Sequence, residues 1–389
     1  MLFLDFSVDE YKDRLARIHG LMEAGNFEGL VLTEPTNLTY CTGYRSYLTN
    51  SRSRPFFSVI QYGEEPILVL PNLEVGSGRK TSWVSDVRGW GQGQYAEAPD
   101  SLTLVKQVVE DASLQNSRLG IEMDNGQRVG LTIGQWQGLQ EGLPGVAWAD
   151  CAALMWTARM IKSETEIEYL RGAARAADAG FMAAYGAGRA GATERELVRA
   201  MGMAMLGTGA DNIASMIVSS GSERYDMINP YATDRKLQRG EQVIFDFGCW
   251  YRGYRSDITR WFYVAEVSED QRRFNEAALS IFFDTMEAVK PGNTAADVDD
   301  AAFQSIKRRG YERYMLHRTG HALGLDVHER PSLAPADDTV LQPGMVLAVE
   351  PGIYDFSIGA WRMEDNVLVT RDDAESLNNA PREILVTAS

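Results

Sequence analysis

The sequence predicts a two-domain protein of mixed architecture, an α/β domain followed by an α+β domain, and three observations carry that reading. Helix and strand signals alternate from the N-terminus to about Trp156, as an α/β domain requires. From Ile161 the texture changes to long amphipathic helices around a single β-hairpin, and from His317 onward the chain reads as strands and loops. With 389 residues, two domains can each bury a core of their own. We place the boundary near residue 158, in a short connection, giving domains 1–157 and 158–389.

The elements follow in order. Ser7 with Glu10 has the spacing of a capping box, in which the first residue caps the N3 amide and the Glu reaches back. Tyr11, Leu15, Ile18 and Met22 then recur at helical spacing, and Gly25 supplies a C′ stop. GLVLTEP and EEPILVLP are short buried strands closed by proline. Ser163 with Glu166 opens a long helix and Thr193 with Glu196 a second. QVIFDFGCWYRGYRSDITRWFYV is a β-hairpin. Two more helices are expected, from about Glu269 to Lys290, ended by Pro291-Gly292, and from about Ala295 to Arg309, ended by Gly310.

Composition narrows the function. A net charge of −16 would repel nucleic acid and anionic membrane surfaces. MLFLDFSVDEYKDRL has no basic flank before its short apolar run, and no apolar stretch is long enough to span a bilayer. The cysteines, Cys41, Cys151 and Cys249, are odd in number and far apart, so neither a disulfide framework nor a zinc knuckle is expected, and a cytoplasmic setting is. Cys249 is out of phase with Asp246 in its strand and packs on the far face. GWGQG around Gly91 lacks the strand-to-helix context of a dinucleotide fingerprint.

The chemistry lies in the second domain. Asp246 sits in the apolar run VIFDFG, where an unpaired carboxylate is costly. Asp257 lies eleven positions on, and a hairpin folded at Tyr251–Arg252, beside Gly253, sets the two aspartates nearly opposite each other. Two buried carboxylates that close repel unless a proton or a cation lies between them. VLAVEPGIY and WRMEDNVLVT repeat the pattern as two strands, each with one glutamate, Glu350 and Glu364. Between the hairpin and these strands HRTGHALGLDVHERP holds three of the four histidines, His317, His321 and His328. Taken singly, a strand carboxylate is commonly solvated and clustered histidines can satisfy one another. Four carboxylates and an imidazole together exceed what one structural zinc takes. They fit a pair of Mn²⁺, Co²⁺ or Zn²⁺ ions that share bridging carboxylates, hold a hydroxide and polarise a carbonyl.

At these motifs the chain resembles the pita-bread metallopeptidases, in the branch of Xaa-Pro aminopeptidase, prolidase and creatinase. IFDFG…RSDITR, HRTGHALGLDVHE, VLAVEPGIY and RMEDNVLVT match that branch in order and spacing. The resemblance covers the whole chain and implies a pita-bread catalytic domain behind a smaller creatinase-type α/β domain. It implies that Asp246, Asp257, His321, Glu350 and Glu364 ligate two divalent metal ions, with Glu350 or Glu364 also moving a proton. His317 and His328 match catalytic histidines on the substrate side, and Arg362 matches the arginine two positions before the last ligand, a substrate contact. The eight tryptophans are core by default, although Trp361, beside Arg362, could line the substrate pocket. In relatives the region of SRSRPFF reaches a partner subunit's active site, so Arg52 or Arg54 could hold a substrate carboxylate in a homodimer; solvated surface is the commoner reading of such arginines. Creatinase lacks the full ligand set, which is intact here.

One position departs from the pattern. The peptidases of this branch carry a histidine seventeen positions before the first aspartate, facing the scissile group; here it is Asn229 in YDMINPYATDRKL. An amide donates a hydrogen bond but cannot shuttle a proton. The resemblance therefore implies a two-metal hydrolase of amide C–N bonds, acting on short peptides of the Xaa-Pro type. The alternatives are a creatine-, ectoine- or sulfonium-like small molecule as substrate, or a non-catalytic binding module on the same fold.

Overall fold

A computed structural model describes residues 1–51, 53–91, 99–124 and 126–388. The chain divides into two compact units, Met1–Arg159 and Met160–Ser389. No helix among the described residues is long and apolar enough to cross a membrane.

The first unit is a six-stranded sheet with helices. In chain order it runs α1 (Val8–Ala24), β1 (Gly29–Leu32), α2 (Pro35–Thr42), β2 (Phe57–Gln61), β3 (Ile67–Pro71), α3 (Val75–Thr81), β4 (Asp86–Trp90), α4 (Ser101–Asp111), β5 (Arg118–Ile121), α5 (Ile133–Gly142), β6 (Ala147–Asp150) and α6 (Ala152–Met160). The strand order is β4-β3-β2-β1-β5-β6. The sheet is mixed: β2 is antiparallel to both β1 and β3, and the remaining pairs are parallel. Val31, Phe57, Val59 and Val69 on the sheet pack with Val105, Val108 and Val109 of α4. Helix α1 starts at Ser7, whose side chain accepts from the Glu10 amide, while the Glu10 carboxylate pairs with Arg14. Its end differs from the expected one. Gly25 caps the helix in right-handed geometry and Asn26 takes the left-handed position, at φ 54°, because a short amide side chain tolerates that conformation.

The second unit continues with α7 (Glu164–Ala187), α8 (Glu194–Gly207), β7 (Asn212–Ser220), β8 (Gln242–Tyr251), β9 (Tyr254–Arg255), β10 (Ile258–Tyr263), α9 (Glu269–Met286) and α10 (Ala295–Arg308). Short strands complete it: β11 (Gly320–Ala322), β12 (Glu329–Leu333), β13 (Val346–Val349), β14 (Gly352–Asp355), β15 (Gly359–Arg362), β16 (Asp365–Val369) and β17 (Ala374–Ser376). Both capping boxes read from the sequence, at Ser163/Glu166 and Thr193/Glu196, close reciprocally. Helix α7 buries Ala173, Ala176, Ala177 and Ala184 against Phe245, Phe247 and Phe262 of the sheet β10-β8-β7. Small residues let the helix axis approach the sheet closely. Helices α9 and α10 belong to a second core, with Leu333, Leu347, Val349 and Val367 of the sheet β12-β11-β13-β16-β17. Two helix-backed sheets thus hold the buried polar residues between apolar walls.

Candidate metal centre

The site is built on strand register. Strands β8 and β9 turn back through Arg252 and Gly253, both at positive φ (53° and 83°). This two-residue turn suits the strand twist and requires that conformation at both positions. It centres the hairpin one residue later than expected. Asp246 therefore opposes Thr259 in the β8–β10 ladder, and Asp257, two residues before Thr259, lies diagonal to it on the same face rather than opposite. Cys249 does occupy the far face, its Sγ directed at the Ala173 carbonyl of α7 (3.4 Å).

The two glutamate strands each split in two. Val349 of β13 opposes Asp365 of β16, and Gly352 of β14 opposes Arg362 of β15. One register runs across both pairs, so Glu350 and Glu364 face each other in the break between them. His321 enters from β11, opposite Ala348 of β13. Asp257, His321 and Glu364 each offer a ligand atom, and these atoms lie within 4.8 Å of one another, all three residues buried. His321 Nε2 is 3.6 Å from Glu350 Oε1 and 3.7 Å from Asp257 Oδ2. Nδ1 of His321 is 3.0 Å from the Ala322 carbonyl, which can only accept, so Nδ1 carries the proton and Nε2 presents its lone pair to the carboxylates. A neutral imidazole held by its other nitrogen is the form in which histidine ligates a metal.

Electrostatics mark the cluster as short of positive charge. Burial, then the neighbouring Glu364, Asp246 and Glu350, push the Asp257 carboxyl well above the usual range. Burial, then Glu350 and Asp246, do the same to Glu364, and burial raises Glu350 to about 7 despite Arg362. Burial lowers His321 to about 3, with His328 adding to the effect. Buried carboxylates this close, facing the lone pair of a neutral imidazole, form a donor set that a cation among them would satisfy. The donor set, oxygen-rich with one nitrogen, fits a hard to borderline divalent ion.

Arg362 is the buried cation of the cluster, and half-buried Arg318 lies 3.9 Å from Glu350. Arg362 bonds Asp246, with Nε donating to Thr259 Oγ1 (3.0 Å) and lying 3.7 Å from Glu350. Thr259 in turn donates to Glu364 (2.5 Å). The Tyr354 hydroxyl is 3.4 Å from Arg362 Nη1 and 2.6 Å from His317 Nε2, whose Nδ1 is 2.7 Å from the Arg318 carbonyl. That carbonyl fixes the proton on Nδ1, so the Tyr354 hydroxyl donates to His317, and burial holds His317 at about 4. Thr259 and Tyr354 were not anticipated from sequence. Each lies an even number of residues along a strand path from a carboxylate already identified, and that period was the available signal.

His328 is exposed, its ring centroid 4.3 Å from that of His321. Beside Asp246, Tyr354 and Arg362 runs a pocket walled by Ile217, Met227, Ile228 and Ile244. Two expected substrate contacts do not line it. Asn229 is exposed, in the loop just after Ile228. Trp361 is fully buried, stacked on Phe274 (centroids 4.7 Å apart) with Nε1 donating to Tyr263 Oη at 2.8 Å. It alternates with the pocket residues Ala360 and Arg362 along β15, so its side chain points into the core. In the first unit Arg54 is exposed; Arg52 and part of GWGQG lie outside the described residues.

Known proteins resemble the chain over nearly its whole length. The chain is 30% identical to the Xaa-Pro dipeptidase of Pyrococcus furiosus, over 96% of this chain and 100% of that one. The crystal structure of dipeptidase PepE from Mycobacterium ulcerans matches with a TM-score of 0.85 at 30% identity, covering 99% of this chain and 100% of that one. A prolidase from Thermococcus sibiricus matches with a TM-score of 0.86 at 27% identity, covering 97% and 99%. These likenesses bear out the expected fold, a pita-bread catalytic domain behind a creatinase-type domain. The creatinase/prolidase N-terminal domain matches residues 14–161 and metallopeptidase family M24 matches residues 168–371, so the chain belongs to metallopeptidase family M24, as a metal-dependent hydrolase.

Proposed function

We propose that this protein is an Xaa-Pro dipeptidase whose Asp246, Asp257, His321, Glu350 and Glu364 hold two divalent ions. The observation that carries the reading is the cluster of Asp257, His321 and Glu364, whose ligand atoms approach within 4.8 Å in a buried, charge-deficient setting. Manganese, cobalt or zinc would suit the donors. Bound ions would supply a water molecule ionised near neutral pH and would polarise the substrate carbonyl. The chain's own residues do the rest. His328, neutral and exposed, donates to the oxygen that gains charge as the carbonyl is attacked. Glu350 takes the proton released by the water and passes it to the leaving nitrogen. Arg362 fixes Asp246 and Tyr354 fixes His317. Water adds across the amide: the acyl carbon leaves as a carboxylate and the nitrogen as an amine. We further infer a cytoplasmic homodimer in which Arg54 contributes to the partner's site; three free, buried cysteines support the reducing setting.

The test is a panel of Xaa-Pro and non-proline dipeptides at saturating Mn²⁺, Co²⁺ or Zn²⁺, with elemental analysis alongside. The expected result is about two ions per chain, loss of turnover in chelator, and preference for proline. Turnover at kcat/KM of ~10⁴ M⁻¹s⁻¹ or more would mark Asn229 as a tolerated departure. Two bound ions with no cleavage of any peptide, but hydrolysis of small amides or cyclic amidines, would overturn the peptidase reading.

A further inference from the structure

The buried ion pair between Lys162 and Glu329 is not used by the chemistry above. Its nitrogen and oxygen are 3.1 Å apart, and the two side chains are 1% and 2% exposed. Lys162 lies in the connection before α7, its amide donating to the Gly344 carbonyl (2.9 Å) and its ammonium lying 3.4 Å from the Met160 carbonyl. Glu329 opens β12, immediately after His328 and opposite Ala322, the residue after His321. The pair therefore joins a fixed point outside the site to the return of the loop that links the two histidines.

Glu329 also shapes that loop from within. Its Oε1 accepts from the Asp326 amide at 3.1 Å. Its carboxylate rests against Gly324, where a Cβ would come within 2.8 Å of Oε1. From the other side Arg255 binds the loop backbone, its amide donating to the Gly324 carbonyl (2.8 Å) and its Nε to the Leu325 carbonyl (2.9 Å). A buried ion pair adds little net stability compared with apolar side chains of similar volume. What it does supply is direction: a carboxylate held at one oxygen by a cation fixes where its other oxygen can receive an amide.

We propose that Lys162 and Glu329 are positioning residues for His328. The pair sets the turn over residues 324–328 and thereby the placement of the His328 imidazole beside His321, an inference that rests on the reading of His328 as the group facing the substrate oxygen. Loss of about an ångström in such placement costs on the order of 10- to 100-fold in rate.

The test uses the metal-loaded enzyme in two variants. Lys162→Met/Glu329→Leu removes both charges at once, so no unpaired charge remains buried. Gly324→Ala moves the carboxylate while keeping both charges. The expected outcome for the double variant is a fall in kcat of about 10- to 100-fold, with KM within ~3-fold and ion content unchanged. Gly324→Ala should show a smaller fall of about 3- to 10-fold. In both, on the zinc-loaded protein, the His328 Cε1–H resonance, assigned by its loss in His328→Ala, should shift. A double variant with wild-type kcat and an unmoved resonance overturns the proposal. If the double variant does not fold, Gly324→Ala decides alone: a shifted resonance supports the proposal and an unmoved one overturns it. Wild-type peptide turnover in His328→Ala would instead sink the role given to His328, while the resonance would still report whether the pair positions it.

Discussion

Glu122 in the first unit and Glu364 in the second are both buried carboxylates, and burial pushes both carboxyls up. What surrounds them differs. Glu122 accepts from the amides of Thr33 and Glu34, the Thr33 hydroxyl and the Asn37 side chain, all between 3.0 and 3.2 Å. Those donors gather just ahead of and within the first turn of α2, so this carboxylate is a structural cap for backbone that would otherwise be orphaned. Glu364 accepts a hydrogen bond from Thr259 and meets Glu350 and Asp246 as like charges, which Arg362 offsets only in part. The neighbouring Asp365 offers a third arrangement. It is fully buried as well, yet Arg260 and Arg382 bind it and outweigh burial, holding its carboxyl below the usual range. Burial alone therefore does not mark a functional carboxylate. The mark is a cluster of buried carboxylates whose charge the protein's own cations offset only in part.

That contrast can be broken by neutralising each kind of carboxylate in turn. The largest effect is expected at Asp365→Asn, which leaves the Arg260 guanidinium, 1% exposed, without its carboxylate. Removing one partner of such a pair costs about 3–5 kcal/mol, read by denaturant unfolding; a loss under about 1 kcal/mol would show that the arginines find other partners. Next comes Asp257→Asn. It removes one charge from the cluster and keeps the shape, so turnover should fall at least ~100-fold. The metal-free fold should hold or gain stability, because like-charge repulsion is relieved. Near-normal turnover with full ion content would contradict Asp257 as a ligand.

Glu350→Gln sharpens the comparison through pH. The folded-state value of about 7 lies above the ordinary 4.5, so ionised Glu350 penalises the metal-free fold above pH 7, and the penalty disappears as pH falls through 7 toward 4.5. Glutamine mimics the protonated form. In chelator the variant should therefore be the more stable chain at pH 8, by roughly 3 kcal/mol at most, with its advantage gone by about pH 4.5. Saturating Mn²⁺ should reverse the order at pH 8, since the amide is the poorer ligand. A pH-independent difference would assign the effect to packing instead.

How much of this was legible beforehand follows the same physics. The helix starts at Ser163 and Thr193 are local chemistry, and the capping boxes formed as read. The carboxylates were visible because a charge inside an apolar strand run is an anomaly that sequence exposes directly. The diagonal rather than facing placement of Asp246 and Asp257 was not, because it depends on which residues occupy a two-residue turn; a shift of one in the centre moves the partner by two. The split of each glutamate strand was hidden for a related reason: both halves keep one apolar pattern, and the break is made by cross-strand pairing. Trp361 was misread as a pocket residue because adjacency in sequence to Arg362 means opposite faces in a strand, a rule that placed Cys249 correctly. Asn229 was singled out by resemblance alone, and nothing in its local pattern said whether it would face the pocket.

The smallest effect, and the control for all the others, is expected at Glu122→Gln. Glutamine keeps one acceptor for the donors around it but turns an NH₂ toward a position now occupied by a carboxylate oxygen that accepts from the Thr33 amide and hydroxyl. The hydroxyl can rotate to accept; the amide cannot. The Thr33 amide keeps only its longer contact to the other oxygen, 3.2 Å away, at a cost toward the low end of about 1–3 kcal/mol, and relief of burying a charge offsets part of it, so a net loss of about 1 kcal/mol or less is expected. Turnover per folded molecule and ion content should stay within ~2-fold of wild type, because the carboxylate only closes the start of a helix. The measurement pairs denaturant unfolding with steady-state kinetics at matched ion loading. If Glu122→Gln instead lowers turnover as strongly as Asp257→Asn while stability holds, the distinction between a carboxylate satisfied by amides and one awaiting a cation fails, and the first unit takes part in the chemistry.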